Sequence, residues 1–142
     1  MVPDAPMTAQ DALAGLMIAV SASDEDIRTA ELLKITDAIN QLPVFAGYDA
    51  ERLPRMSKTV FELFEQEDGL DALFGLIRDA LPEQLFETAY ALSCDVAAAD
   101  GEIDDAESRM LEEIRYELNI DRLHAAAIER GSRARHMTLD AK

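Results

Sequence analysis

Residues 95–120 read DVAAADGEIDDAESRMLEEIRYELNI, and the bend at their centre, AADGEIDDAE (98–107), places five acids within eight positions. An alanine-rich apolar segment precedes this bend. After it, apolar residues recur at the spacing of an amphipathic helix. The stretch therefore predicts a helix, an acidic bend at a glycine and a second helix.

The same arrangement occurs earlier in the chain, in AVSASDEDIRTAELLKITDAINQLPV (19–44). At a constant offset of 76 the two stretches share the pattern D-x-x-I-x-x-x-E. The matched positions are Val20 and Val96, Ala22 and Ala98, Asp24 and Asp100, Ile27 and Ile103, Glu31 and Glu107, Ile35 and Leu111, and Leu42 and Leu118. This repeat predicts two related helix–bend–helix units that pack around a pseudo-two-fold axis.

The rest of the chain shows helical periodicity and no alternation of the β type. We expect an all-α, duplicated bundle of about seven helices with short connections. The expected elements are a first helix capped by Thr8, a second over Arg28–Leu42 that Pro43 ends, a third that begins near Pro54, a short fourth, a fifth over Glu83–Ala99, a sixth over Asp104–Leu118 and a last one from Asp121. One domain over 8–132 is expected, with flexible tails at 1–7 and 133–142.

Composition limits the classes of function. The 142 residues carry 29 acids against 13 Lys and Arg, for a net charge of −16, which disfavours nucleic acid and anionic membranes as direct partners. No apolar run is long enough for a transmembrane helix, so no membrane insertion is expected. The N-terminus lacks a secretory pattern, and the single cysteine, Cys94, suits a reducing compartment. Together these features predict a cytoplasmic protein in which Cys94 is a packing residue.

Two glutamates stand out by their position. Glu31 and Glu107 each begin the stripe of apolar residues that faces the interior in the second and sixth helices. A buried carboxylate without partners costs several kcal/mol as an ion. Each glutamate therefore needs a donor or a cation, and the sequence leaves both open.

The first interpretation is structural. Asp104 and Glu107 have the D-x-x-E spacing of a capping box, in which Glu107 accepts the backbone N–H of the N-cap residue. Asp100 followed by Gly101 fits a turn in which the glycine adopts a positive φ. All these carboxylates would then accept backbone hydrogen bonds.

The second interpretation is a divalent-cation site, because Ca²⁺ and Mg²⁺ prefer oxygen ligands. The candidate ligands are Asp100, Glu102, Asp104 and Glu107, with Asp24 and Glu31 in the first unit. The spacing is not that of an EF-hand. The first unit is the poorer site, because Arg28 replaces Asp104 and Glu25 replaces Gly101.

Nothing in the sequence indicates an enzyme. There is no serine elbow, phosphate-binding loop or dinucleotide-binding glycine motif. His124 and His136 lack the spacing of a metal site and are expected on the surface. We therefore expect a protein without catalytic residues.

VAAADGEIDDAE (96–107), followed by MLEEIRYELNID (110–121), resembles the second-half signature of the TerB tellurite-resistance family. The resemblance covers about residues 10–130 and includes the internal duplication, with its echo at SDEDIRTAE (23–31). It implies a TerB-like all-helical fold and assigns the motif acids to Asp100 and Glu107, and to Asp24 and Glu31.

The resemblance also implies a role. It suggests a cytoplasmic accessory protein in the tellurite, metal or general stress response, with divalent cations bound by acidic residues. It further implies complexes with other tellurite-resistance proteins at the inner face of the membrane. The alternative is a metal-free interaction module whose acidic surface selects a basic protein partner.

Overall fold

A computed structural model describes residues 6–23, 28–99 and 101–140. Within these ranges the chain forms seven α-helices and three short 3₁₀ helices, without a strand, which confirms the all-α prediction. The helices are α1 (Ala9–Ala22), α2 (Thr29–Gln41), α3 (Leu53–Phe64), α4 (Gly69–Ala80), α5 (Phe86–Ala97), α6 (Asp105–Glu117) and α7 (Arg122–Arg135).

Helix α1 is the centre of the bundle. Every residue from Asp11 to Ala22 is buried, and α2, α3, α4, α5 and α6 all pack against it. The sequence predicted one apolar face on this helix, but alanines and Gly15 on the other faces allow neighbouring helices to pack there as well. A helix that is apolar on all sides belongs in a core. None of the helices in the described ranges has both the length and the apolar content needed to cross a bilayer.

The predicted start of α1 is confirmed. Thr8 is its N-cap and accepts a hydrogen bond from the backbone N–H of Asp11, while the Asp11 carboxylate accepts the N–H of Thr8. The same carboxylate also accepts hydrogen bonds from Tyr48 and Arg52, at 2.8 Å and 2.9 Å. These contacts fix the start of α1 to the connector before α3, and the sequence pattern did not predict them.

Two predicted helix ends are wrong. α2 stops at Gln41, and Leu42 is extended and 38% exposed rather than inward, because the residue before a proline avoids the helical conformation. The fifth helix does not begin at Glu83. Glu83–Leu85 form a 3₁₀ turn after Pro82, and α5 starts at Phe86.

The last helix is longer than the predicted domain. α7, capped by the Asp121 side chain, continues to Arg135 and buries Ala125 and Ser132. It packs on α5, and Arg135, which lies past the predicted end of the domain, donates to the Asp95 carboxylate of α5 at 2.8 Å.

Candidate functional site

The first turns of α2 and α6 carry Glu31 and Glu107 into the core. Both side chains are 0% exposed. In each helix, the apolar residues that follow the glutamate pack into the same core, among them Ile35 in α2 and Ile114 in α6. The inward direction predicted from the sequence is therefore confirmed for both glutamates.

Glu107 completes the predicted capping box. The Asp104 carboxylate accepts the backbone N–H of Glu107 at 2.8 Å, and Glu107 Oε1 accepts the backbone N–H of Asp104 at 3.3 Å. Just before this cap, Gly101 has φ +89°, the left-handed conformation predicted for the bend. The bend and the cap together place Glu107 at the positive end of the α6 dipole.

Glu31 has a different partner. The hydroxyl of Ser21, a buried residue near the end of α1, donates to Glu31 Oε1 at 2.9 Å. Residue 97 occupies the corresponding position of the second unit and is an alanine. Ser21 was not predicted as a partner of Glu31, although a serine within the apolar run of α1 is a visible signal in the sequence.

The two glutamates contact each other. Each has a buried Oε2 atom that receives no hydrogen bond from the described protein groups when both carboxyls are ionised. Burial, followed by the hydrogen bond and the charge of Glu31, raises the pKa of Glu107 far above its ordinary value of 4.5. One carboxyl can donate to the other only if it carries a proton. The pair therefore shares a proton at neutral pH, because two adjacent buried carboxylates cannot both ionise cheaply.

The N-cap residues of the same two helices also contact each other. Arg28 donates to the Asp104 carboxylate at 3.3 Å, with both side chains about one-third exposed. Arg28 therefore contacts an acid of the second unit. It links the start of α2 to the start of α6 and partly screens the charge above the buried pair.

Of the other predicted ligands, Asp24, Asp100 and Glu102, only Glu102 lies within the described residues. Glu102 is exposed on the bend. Asp24 and Asp100 lie outside the described residues. Among the residues that the structure describes, no group of three or more acidic, histidine or cysteine side chains is arranged to hold a metal.

The histidines and the cysteine occupy separate places. Cys94 is buried, as expected of a packing residue, and His124 is exposed with Nδ1 2.9 Å from the Glu87 carboxylate. His136, which was predicted on the surface, is partly exposed. Its ring is partly buried, because the end of α7 folds it back so that Nδ1 lies 2.7 Å from the carbonyl oxygen of Ser132.

The chain was compared with known proteins and with models of protein families. No curated protein and no solved structure matches the chain. The family model described as "Tellurite resistance protein TerB" matches residues 10–130, a range that contains both glutamates and the whole of each helix from α2 to α6. The chain therefore belongs to the TerB family.

Proposed function

We propose that this protein is a non-enzymatic TerB accessory protein of the tellurite, metal or general stress response. In this proposal the Glu31–Glu107 pair exchanges a shared proton for a divalent cation, Ca²⁺ or Mg²⁺. Family membership supports the general role. The proposal places the protein in the cytoplasm, with other proteins as partners, including tellurite-resistance or membrane-associated ones.

The buried pair is the observation that carries the proposal. Glu31 and Glu107 keep two carboxylate oxygens in the core without a protein donor. Such oxygens need either a proton or a cation, and hard cations prefer carboxylate ligands. Asp24 and Asp100, which begin the two D-x-x-I-x-x-x-E motifs, are the further ligands that this proposal takes from the sequence.

Proton and cation compete for the same oxygens in this arrangement. Because the pKa of Glu107 is raised by burial and by Glu31, a cation must displace a proton when it binds. The apparent affinity for the cation should therefore increase with pH, and cation binding should release a proton. A site built only from exposed carboxylates would show neither effect above about pH 6, since such groups are already ionised.

Isothermal titration with Ca²⁺, Mg²⁺ and Mn²⁺, in buffers of different ionisation enthalpy, tests this proposal. We expect a pH-dependent binding heat that Glu31→Gln and Glu107→Gln each remove. Glu62→Gln, on the exposed surface of α3, makes the same chemical change away from the pair and should leave binding intact. Absence of heat and of any thermal shift at millimolar metal would remove the cation from the proposal.

The capping box favours a second candidate, a metal-free interaction module. Glu107 already has a structural role, because it caps α6 and can share a proton with Glu31. The net charge of −16 would then select a partner with a basic face. Pull-down from lysate at increasing salt tests this candidate, and a partner whose retention ignores ionic strength would count against charge selection.

A further inference from the structure

A groove of about 770 Å³ lies between α6 and α7, and the second half of α5 also lines it. Its volume lies within the range of small-molecule sites. Ala98, Leu111 and Met137 provide apolar surface along it. The groove can therefore hold a ligand with an apolar body. The polar groups of the groove determine which class of ligand it binds.

Two buried polar atoms in the groove lack partners. Ser132 lines the groove and is only 2% exposed, and its Oγ atom has no hydrogen-bond partner in the described structure. His136 is the C-cap residue of α7, one turn after Ser132. Its Nδ1 donates to the carbonyl oxygen of Ser132, so its Nε2, buried and unpartnered, is an acceptor in the neutral ring. A buried polar atom without a hydrogen bond is destabilising, and a ligand hydroxyl could satisfy both atoms.

Three arginines (Arg115, Arg130 and Arg133) and two glutamates (Glu112 and Glu129) line the groove, so it carries a net positive charge in a strongly acidic protein. Arg130 and Arg133 line it, are exposed, and have no ion-pair partner among the described residues. A third arginine, Arg115, is held by Glu129 at 3.2 Å, and Glu129 also accepts the Tyr90 hydroxyl. Glu129 is thus already neutralised, and the two unpaired guanidinium groups are available to an anion.

We propose that this groove binds a small organic anion that also carries a hydroxyl group. The hydroxyl donates to His136 Nε2 and accepts from Ser132 Oγ, while the carboxylate or phosphate pairs with Arg130 and Arg133. The apolar body of the ligand lies along Leu111 and Met137. This site is separate from the Glu31–Glu107 pair and does not depend on cation binding.

Three probes of similar shape test the ligand chemistry by NMR titration of the full chain in the presence of a metal chelator. They are 4-hydroxyphenylacetate, phenylacetate without the hydroxyl, and tyramine with an amine in place of the carboxylate. We expect saturable shifts in α6 and α7 with 4-hydroxyphenylacetate, and affinity lower by about tenfold for each of the other two. Equal affinity for all three probes, or shifts spread over the whole surface, would overturn the proposal.

Variants separate the two halves of the site. The double change Arg130→Gln and Arg133→Gln should weaken 4-hydroxyphenylacetate by about tenfold. Arg122→Gln, at the start of the same helix and outside the groove, should leave its affinity unchanged. Ser132→Ala should reduce the preference for 4-hydroxyphenylacetate over phenylacetate while circular dichroism confirms the fold.

Vesicles of phosphatidylcholine and phosphatidylglycerol distinguish a free anion from a lipid headgroup. We expect no vesicle binding that depends on Arg130 and Arg133. Vesicle binding that these arginines support, without binding of the soluble probe, would overturn the small-molecule site.

Discussion

Glu31 and Glu107 occupy matching positions of the two repeated units, and their carboxyl groups lie against each other in the core. Each is anchored at the start of its helix by a different donor, the Ser21 hydroxyl for Glu31 and the Asp104 backbone N–H for Glu107. Since neither anchor supplies a positive charge, the pair lowers its charge by retaining a proton. The stability of the fold should therefore depend on the protonation of this pair.

The first prediction concerns that dependence. The folded-state pKa of Glu107 is raised, so the contribution of the pair is fully present below its ordinary pKa of 4.5 and is lost as the pH rises toward about 9. Glu107→Gln keeps an acceptor for the cap and stays neutral. We expect the variant to unfold like the parent near pH 4.5 and to be more stable near pH 9, by about 1–3 kcal/mol. Urea denaturation across the pH range measures this difference.

Glu62→Gln is the control for the general loss of a negative charge. In a chain of net charge −16, the loss of any negative charge reduces electrostatic repulsion. For an exposed glutamate this gain in stability should not increase between pH 4.5 and pH 9 as the buried pair loses its proton. If Glu62→Gln and Glu107→Gln gain stability equally with rising pH, the shared proton is not the cause.

The second prediction concerns the contact between the two helix starts. Asp104→Ala removes the side-chain cap of α6, together with the acceptor for Arg28. We expect a loss of about 1–2 kcal/mol for this change and less than about 1 kcal/mol for Arg28→Ala, because an ion pair that solvent still reaches contributes little. A double-mutant cycle should give a small coupling energy. A coupling larger than the loss of the cap would show that the ion pair, rather than the cap, stabilises the start of α6.

Much of this arrangement follows from local sequence. The positions of Glu31 and Glu107 ahead of apolar residues at helical spacing determine their burial, and the D-x-x-E spacing determines the cap of α6. Both are interactions within one helix, and periodicity predicts such interactions well. The contact between the two carboxyls agrees with the predicted pairing of the units, while the pseudo-two-fold axis stays a prediction.

Contacts between segments that are distant in the sequence could not be predicted from it. The hydrogen bond from Ser21 to Glu31 depends on how α1 lies against α2, and the groove beside His136 depends on how α7 crosses α5 and α6. Leu42 shows a different limit. Its place in the repeat favoured an inward position, but the following proline ended the helix first.

The third prediction concerns Cys94. Burial is the largest cause that raises the pKa of the thiol to about 12. The charges of Glu129 and Asp95 act in the same direction, and a hydrogen bond with Tyr90 opposes them. A buried thiol of this kind should react with Ellman's reagent only through opening of the fold. We expect the native protein to react slowly and the urea-unfolded protein at once. A fast native reaction, with the fold intact by circular dichroism, would contradict the packing role of Cys94.

The fourth prediction concerns Asp11, which ties α1 to the connector before α3. Burial opposes its ionisation, but the hydrogen bonds from Arg52, the Thr8 backbone and Tyr48 outweigh burial and hold the pKa of Asp11 well below its ordinary value of 3.8. Its contribution to stability is therefore present above pH 3.8 and is lost as the pH falls toward the folded-state pKa.

Asp11→Asn should accordingly destabilise the protein by about 2–3 kcal/mol near neutral pH. The substitution removes the negative charge that pairs with Arg52 and keeps the volume of the side chain. Asp49→Asn is the matched control, since Asp49 is exposed and caps only a 3₁₀ turn, and it should change stability by less than about 0.5 kcal/mol. Thermal denaturation of the parent and both variants over a range of pH measures these differences in stability. The deficit of the Asp11→Asn variant should shrink in acid, because there the parent loses the same interaction by protonation. A deficit that stays constant down to acidic pH would mean that Asp11 acts through packing and its neutral hydrogen bonds, and not through its charge.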